Sequence, residues 1–355
     1  MTLREYIDIP QFSLEKKMKN TLVMDLMKKL HQHHLLNSAE YQKISEQIFP
    51  LANNTDRLED MPFLPVSLFK THTLKSIKED SIFKVLTSSG TTGQVPSRIY
   101  LDKETANLQT LALSKIMSHA LGNERLPMMI VDSQTVIKDR ASFSARGAGI
   151  LGLSIFGKKH QYVLDTDFQL DKDALNAFID QFDGQKILIF GFTFMVWQYL
   201  VQADLGRKID LSKAVLIHSG GWKKLQEIAV DNDTFKKTLF DKFGLKNIYN
   251  FYGMVEQVGS VFLENEKNHL HCPNFSDVII RNPKDLSVQP HGTEGLVQVI
   301  SVLPKSYPGH SILTEDIGVV LGEDIEKGWN GKYFKIIGRA KRAELRGCSD
   351  TFIKK

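Results

Sequence analysis

Cysteine is scarce: the 355 residues include two, Cys272 and Cys348. One disulfide adds little to a core of this size, which excludes a disulfide scaffold and favours a reducing compartment. Long apolar runs are also missing. The most apolar stretch, from Ile187 to Val201, is broken by Gly191, Thr193 and Gln198, whereas a membrane span needs about 20 apolar residues. A buried strand running into a helix accounts for it better. The opening residues, Met1-Thr2-Leu3-Arg4-Glu5, lack the apolar core of a secretory signal. Neither sign of charge dominates: 45 Lys and Arg face 41 Asp and Glu, for a net charge of +4. A surplus this small and dispersed does not call for a nucleic-acid partner. Gly (24) and Pro (11) are too few for a collagen-like or disordered chain. No internal repeat or low-complexity segment interrupts the text. The composition that remains, 42% hydrophobic and 24% charged, is that of an ordinary soluble α/β protein, expected in the cytoplasm.

Three regions follow from the patterning. Residues 1–75 read as helical, with Leu22, Met24, Leu26, Met27 and Leu30 at mixed three- and four-residue spacings among lysines. His31 and His34 close that run three residues apart; a metal-binding pair and a solvated helix end are both open readings. Pro62 and Pro65 then mark an extended crossing, MPFLPVSLFK. Over residues 76–262 the text alternates between strand and helix. SIFKVLT, PMMIVDS, KILIFGF, KAVLIHSG and KNIYNFYG read as strands, and KKLQEIAVDNDTFKKTLFDKFG as a helix. Apolar strands alternating with helices indicate a parallel sheet. Ligands collect at the carboxyl ends of such strands, and those ends carry SSGTTG, HSGGW and FYGMVE. Residues 263–355 change character. DVIIR, GLVQVIS, IGVVL and KYFKIIGR, separated by turns, predict antiparallel hairpins, followed by a basic tail carrying Cys348.

Thr87-Ser88-Ser89-Gly90-Thr91-Thr92-Gly93 is the strongest local signal. Glycine frees the backbone to aim successive N–H groups at one anion, and clustered hydroxyls add donors. That suits a phosphate cradle, although a plain Ser/Thr turn has the same composition. It is not a Walker A loop, because no Gly-Lys-Ser/Thr end follows. Gly147-Ala148-Gly149-Ile150-Leu151-Gly152 spells a dinucleotide fingerprint, with Asp165 closing QYVLD. That fingerprint must follow a strand directly; here the nearest strand ends near Ser133, so a small-residue helix packed closely on the sheet is the better account.

Three later segments join SSGTTG: Tyr252-Gly253-Met254-Val255-Glu256, Thr314-Glu315-Asp316-Ile317-Gly318 and Gly338-Arg339. In this order they resemble the adenylate-forming superfamily of acyl-CoA synthetases, luciferases and peptide-synthetase adenylation domains. The match is closer to its LuxE-type acyl-protein synthetase branch, from FLPVSLFK through SSGTTG and HSGGWKK to LRGCS. The resemblance implies an adenylate-forming α/β fold with parallel sheets flanked by helices. A β-rich C-terminal part follows, without the large mobile C-terminal domain of bigger relatives. It implies that a carboxylic acid, expected to be fatty, is activated with ATP and Mg²⁺ as acyl-AMP and moved to a cysteine. An acyl-accepting partner protein, such as a reductase or carrier protein, then receives it.

Carried onto this sequence, Ser88, Ser89, Gly90, Thr91, Thr92 and Gly93 would bind the phosphates. Glu256 would hold Mg²⁺. Asp316 and Arg339 would bind the ribose. Tyr252 and Gly253, with Gly220 and Gly221, would form the adenine slot, and Cys348 would be the acyl-accepting nucleophile. Neighbouring Lys341, Arg342 and Arg346 favour its thiolate, although an inert thiol is the commoner state of a free cysteine. Cys272, within HLHCPN, reads as a packed strand residue; zinc held by His269, His271 and Cys272 is disfavoured because successive strand side chains diverge. Two departures stand out. Arg98 occupies the neighbourhood where the family loop ends in Pro-Lys, and Arg342 replaces the acid of G-R-x-x-D. No position matches the adenylation lysine of the larger relatives' C-terminal domain, which leaves Lys341 or a partner protein to supply that charge. Two other functions remain open: a ligase that hands the acyl group to CoA or a carrier protein, and a non-catalytic nucleotide-binding scaffold. The aromatic run Phe190, Phe192, Phe194 and Trp197 suits core packing better than a chain-binding tunnel.

Overall fold

Local chemistry fixes the first helices. In the computed structural model, Thr2 opens helix Leu3–Asp8 with a capping box: its hydroxyl accepts from the Glu5 N–H, and the Glu5 carboxylate accepts from the Thr2 N–H at 2.7 Å. Ser38 caps helix Ala39–Ile48, which folds back on helix Lys16–Asn37. The structure describes residues 1–50, 52, 55–88, 95–138, 145–222, 227–324 and 328–340. None of the described helices is long and apolar enough to cross a membrane.

The strands in chain order are β1 (Leu64–Pro65), β2 (Lys84–Thr87), β3 (Arg98–Leu101), β4 (Leu126–Ser133), β5 (Gly157–Leu164), β6 (Leu188–Phe192) and β7 (Val215–Ser219). They continue with β8 (Asn247–Tyr252), β9 (Phe262–Glu264), β10 (Leu270–His271), β11 (Ser276–Arg281), β12 (Gly295–Ser301), β13 (Ser311–Glu323) and β14 (Lys332–Arg339). The chain divides into two compact units. One contains Met1–His119, Gly253–Asn265 and, of the described residues, 269–340; the other contains Ala120–Tyr252 with Glu266–Asn268.

The second unit holds a parallel sheet in the order β8-β7-β6-β4-β5. Strand β4 is buried along its whole length, as expected of a strand covered on both faces. Near its carboxyl end, Asp132 accepts from Arg146 Nε at 2.6 Å, and both side chains are almost completely buried. Helix Ala145–Ser154 carries the glycine triplet. A Cβ on Gly149 would lie in ordinary contact, 3.5 Å from the Phe192 ring, and the helix packs on β5 and β6. The run from Ile187 to Val201 is strand β6, helix Thr193–Val196 and a π-helical turn, Trp197–Val201. Its aromatic residues Phe190, Phe192, Phe194 and Trp197 are buried. The long helix read from residue 223 is shorter in the structure, Asn232–Phe243. Asp231 accepts from the Thr234 N–H at 2.7 Å and starts the helix there, and Gly244 ends it in the left-handed conformation.

The first unit is antiparallel, as the hairpin signals predict, in the order β11-β12-β13-β14-β10-β9. β1 adds a parallel pairing to the start of β13, Leu64 opposite Ile312. Two readings need correction. SIFKVLT does not join the parallel sheet; β2 pairs with β3 in a separate two-stranded antiparallel ribbon. His31 and His34 are not a solvated helix end. Both are buried, because the helix turns that face inward. His31 Nδ1 meets the Tyr41 hydroxyl at 2.9 Å, and that hydroxyl meets His310 Nε2 at 3.1 Å. His34 lies between Ser76 Oγ (2.7 Å) and the Pro304 carbonyl (3.1 Å) and stacks on His310.

Candidate active site

The β2–β3 ribbon carries the Ser/Thr/Gly loop. Its neck is closed by a reciprocal pair: the Ser88 N–H donates to the Ser97 carbonyl at 3.1 Å, and the Ser97 N–H donates to the Ser88 hydroxyl at 2.8 Å. With Thr87 opposite Arg98, the loop springs from a fixed base. Ser89, Gly90, Thr91, Thr92 and Gly93 lie outside the described residues, as do Lys341, Arg342, Arg346 and Cys348.

Glu256 sits in a short 3₁₀ turn, Val255–Gln257, and is buried. Three contacts hold that turn. The Tyr307 hydroxyl donates to the Glu256 carbonyl at 2.9 Å, and Gln257 Nε2 donates to the carbonyls of Val299 (3.1 Å) and Gly309 (2.9 Å). A Cβ on Gly309 would stand 2.8 Å from the Glu256 carbonyl oxygen, so only glycine lets the two segments approach. Burial pushes the Glu256 carboxyl up from its usual range. The Ser97 hydroxyl, its own backbone and Lys70 pull the other way, and the Glu315 charge adds to the rise. A desolvated carboxylate with a second acid's charge upon it suits a hard divalent cation. Among the described residues, no three His, Cys, Asp or Glu side chains gather to hold a metal by themselves.

The acids of Thr314-Glu315-Asp316 lie inside β13, not ahead of it. Asp316 is directly opposite Arg339 of β14. Arg339 Nη2 donates to Glu315 Oε2 at 2.8 Å, and its Nε lies 3.5 Å from Asp316 Oδ1. Thr314 turns its hydroxyl to the Val297 carbonyl at 2.7 Å and takes a bond from the Asp316 N–H. The two half-exposed acids are thus presented by a rigid pair of strands. Gly253 belongs to the same unit, packed where a Cβ would meet Val261 at 3.1 Å.

The remaining candidates belong to the second unit. Gly220 follows β7 with φ near +83°, a conformation that favours glycine. Tyr252 ends β8, whose Phe251 is level with Ser219 of β7; the Ser219 hydroxyl donates to the Phe251 carbonyl at 2.9 Å. Gly220, Gly221 and Tyr252 therefore share the carboxyl end of two adjacent parallel strands. Behind them Thr193 donates to the Ser219 carbonyl at 3.2 Å and meets His218 Nδ1 at 2.9 Å. A hydroxyl that spends its proton on the carbonyl leaves only lone pairs for the imidazole, so Nδ1 carries the hydrogen. Burial pushes the His218 pKa down to about 3, which keeps the ring neutral.

Cys272 is fully buried, and burial raises its thiol; it is a core residue, as its packed-strand reading expects. Sequence reasoning missed Ser97, Tyr307 and Gln257. Ser97 lies just past the loop motif, and the turn YPGH hides a tyrosine that orders Glu256 from fifty-one residues away.

Comparison with known proteins decides the family. Residues 7–355 match the family described as acyl-protein synthetase, LuxE. The chain belongs to this family. Two curated LuxE-type relatives agree. A long-chain-fatty-acid–luciferin-component ligase from Vibrio harveyi is 25% identical, over 96% of this chain and 89% of its own length. A protein of the same name from Aliivibrio fischeri is 23% identical, over 95% and 88%. Among solved structures, an open conformation of 2-hydroxyisobutyryl-CoA ligase with 2-HIB-AMP and CoA aligns with a TM-score of 0.70 at 14% identity, covering 92% of this chain and 71% of that one. ATP-bound MatB from Rhodopseudomonas palustris aligns with a TM-score of 0.51 at 15% identity, over 74% of this chain and 49% of its own. At such identities these likenesses establish the adenylate-forming fold of this LuxE-family ligase.

Proposed function

We propose that this LuxE-family chain activates a fatty acid with ATP as acyl-AMP. It then carries the acyl group on Cys348 and delivers it to a partner protein, such as a reductase or carrier. The observation that carries the reading is the placement of Glu256. Its carboxyl is buried on a turn held by Tyr307 and Gln257, in the same unit as the neck of the Ser/Thr/Gly loop.

A free carboxylate is a poor electrophile. In the first step its oxygen attacks the α-phosphorus, a new O–P bond forms, and the bond to the β-phosphate oxygen breaks with pyrophosphate leaving. Glu256 would hold Mg²⁺, which neutralises phosphate charge when bound. Ser88, with Ser89 to Gly93, would cradle the outgoing phosphates. Asp316 would accept hydrogen bonds from the ribose hydroxyls. Arg339 fixes that acid and would touch the same sugar. Gly220, Gly221, Tyr252 and Gly253 would border the adenine. In the second step the Cys348 thiolate attacks the acyl carbonyl, a thioester forms, and AMP departs.

The test is fatty-acid-dependent exchange of labelled pyrophosphate into ATP. Wild type exchanges with a long-chain acid. Glu256→Gln loses at least about 100-fold in kcat, the scale on which removing a group that stabilises transition-state charge acts. Asp316→Ala weakens the apparent affinity for ATP. Exchange that survives Glu256→Gln unchanged contradicts the assignment. AMP formed only when CoA or a carrier protein is supplied moves the reading to a CoA or carrier ligase.

A further inference from the structure

A site whose shape is set before the ligand arrives binds more tightly, because affinity falls by the fraction of time spent in other shapes. The Gly220–Gly221 turn has little of its own to set its shape. Both residues are exposed, neither has a side chain to pack, and a Cβ on Gly221 would meet nothing within 4 Å. Two successive glycines also leave the backbone unusually free. A hold on this turn has to act through the backbone.

Thr193 is placed to supply it. Gly191 lets the end of β6 pack tightly: a Cβ there would stand 2.8 Å from Val196 Cγ2 and 2.9 Å from Val131 Cβ. Helix Thr193–Val196 is buried throughout and packs on β4, β6 and β7. Its first residue brings a hydroxyl to the carboxyl end of β7. That hydroxyl donates to the Ser219 carbonyl at 3.2 Å and accepts from His218 Nδ1 at 2.9 Å. The imidazole is held in turn, 4.7 Å from the Phe235 ring, which stacks on Trp197. On the other side the Ser219 hydroxyl donates to the Phe251 carbonyl at 2.9 Å. A line of hydrogen bonds thus ties the ends of β6, β7 and β8 directly behind Gly220, Gly221 and Tyr252, all within the second unit. In a trans peptide the carbonyl and the following N–H point in opposite directions, and no cis bond occurs among the described residues. Holding the Ser219 carbonyl therefore also aims the Gly220 N–H and sets the plane from which the turn departs.

We propose that Thr193 is a positioning residue for the nucleotide: its hydroxyl holds the Ser219–Gly220 peptide and so keeps Gly220 and Gly221 in the shape that receives the adenine of ATP and AMP. The proposal rests on the adenylation reading above. Thr193 acts through the turn, not on the reacting atoms.

Thr193→Val, Thr193→Ser and wild type separate the possibilities. Valine keeps the branched shape and removes the hydroxyl; serine keeps the hydroxyl. Two readouts are needed, at a temperature where urea melts show every protein folded: the Kd for AMP by titration calorimetry, and KM and kcat in ATP–pyrophosphate exchange. Thr193→Val is expected to bind AMP about 10-fold more weakly, as a turn in the receiving shape about one-tenth of the time would. Its KM for ATP rises by a like factor, while kcat at saturating ATP and the KM for the fatty acid stay within about 3-fold of wild type. Thr193→Ser recovers most of the AMP affinity. An AMP affinity of Thr193→Val within about 2-fold of wild type overturns the proposal. So does a loss spread over kcat and both KM values that Thr193→Ser does not rescue, since that marks a threonine needed only for the fold. A rise confined to the KM for the fatty acid overturns it as well. A wild-type chain that binds AMP but exchanges pyrophosphate with no acid overturns the adenylation reading instead, and the AMP affinities still decide the role of Thr193.

Discussion

Lowering the pH from 7.5 to 5.5 is expected to cost this protein a large part of its stability, through histidines rather than carboxylates. His34, His218 and His310 are buried and neutral. Burial pushes His218 and His310 down to about 3 and His34 well below its ordinary range, the last helped by its stacked neighbour His310. The sign follows from linkage. In the unfolded chain each ring takes a proton near pH 6.5, while the folded protein refuses it, so the unfolded state binds more protons below that pH. The stabilisation is complete above about pH 6.5 and drains away as pH falls toward 3. One pH unit below 6.5, each histidine has forfeited about 1.4 kcal/mol, roughly 4 kcal/mol for the three, set against total stabilities of about 5–15 kcal/mol. Urea melts at half-unit intervals between pH 7.5 and 5.5 read this directly. His310→Gln keeps a donor for the Tyr41 hydroxyl but cannot titrate, so its stability must depend less steeply on pH. A wild-type midpoint that holds or rises down to pH 5.5, or a slope that His310→Gln leaves unchanged, refutes the reasoning.

Asp132→Asn leaves Arg146 charged and buried, which costs about 3–5 kcal/mol; urea unfolding that shifts by under about 1 kcal/mol contradicts this. Gly309→Ala places a methyl group against Tyr307 and the Glu256 carbonyl oxygen, an overpacking worth about 1–3 kcal/mol. Its pyrophosphate exchange should fall while circular dichroism stays native, and full exchange would show that the turn does not position Glu256. Glu256→Gln should be more stable than wild type at neutral pH without ligands. A carboxyl raised by folding favours the folded state at or below its unfolded pKa and loses that advantage as pH rises through the folded value. Thermal melts at pH 4.5 and 7.5 check it: the gain must appear at the higher pH, and its absence there contradicts the burial argument.

The elements legible in the sequence were those with one strong physical cause. β4, β6, β7 and β8 announce themselves as short apolar runs ended by turn residues, and the glycine triplet in helix Ala145–Ser154 betrays close packing by its position away from any strand end. β2 did not reveal its partner, because four residues of Lys-Val-Leu-Thr pair equally well either way and only the tertiary context selects β3. His31 and His34 read as surface residues because Tyr41 and Ser76, and above all His310 from far along the chain, satisfy them. The site divides the same way. Glu256, Asp316 and Arg339 stand in recognisable strings. Tyr307 does its work through long-range packing that no local pattern encodes.

The central claim is that acyl groups pass through Cys348. Intact mass after incubation with ATP, Mg²⁺ and a panel of fatty and aryl acids tests it most directly. Wild type is expected to gain one acyl mass that hydroxylamine removes, and Cys348→Ser to gain none. An adduct of equal yield on Cys348→Ser, or no adduct on wild type with any acid while AMP accumulates on adding CoA, would contradict it.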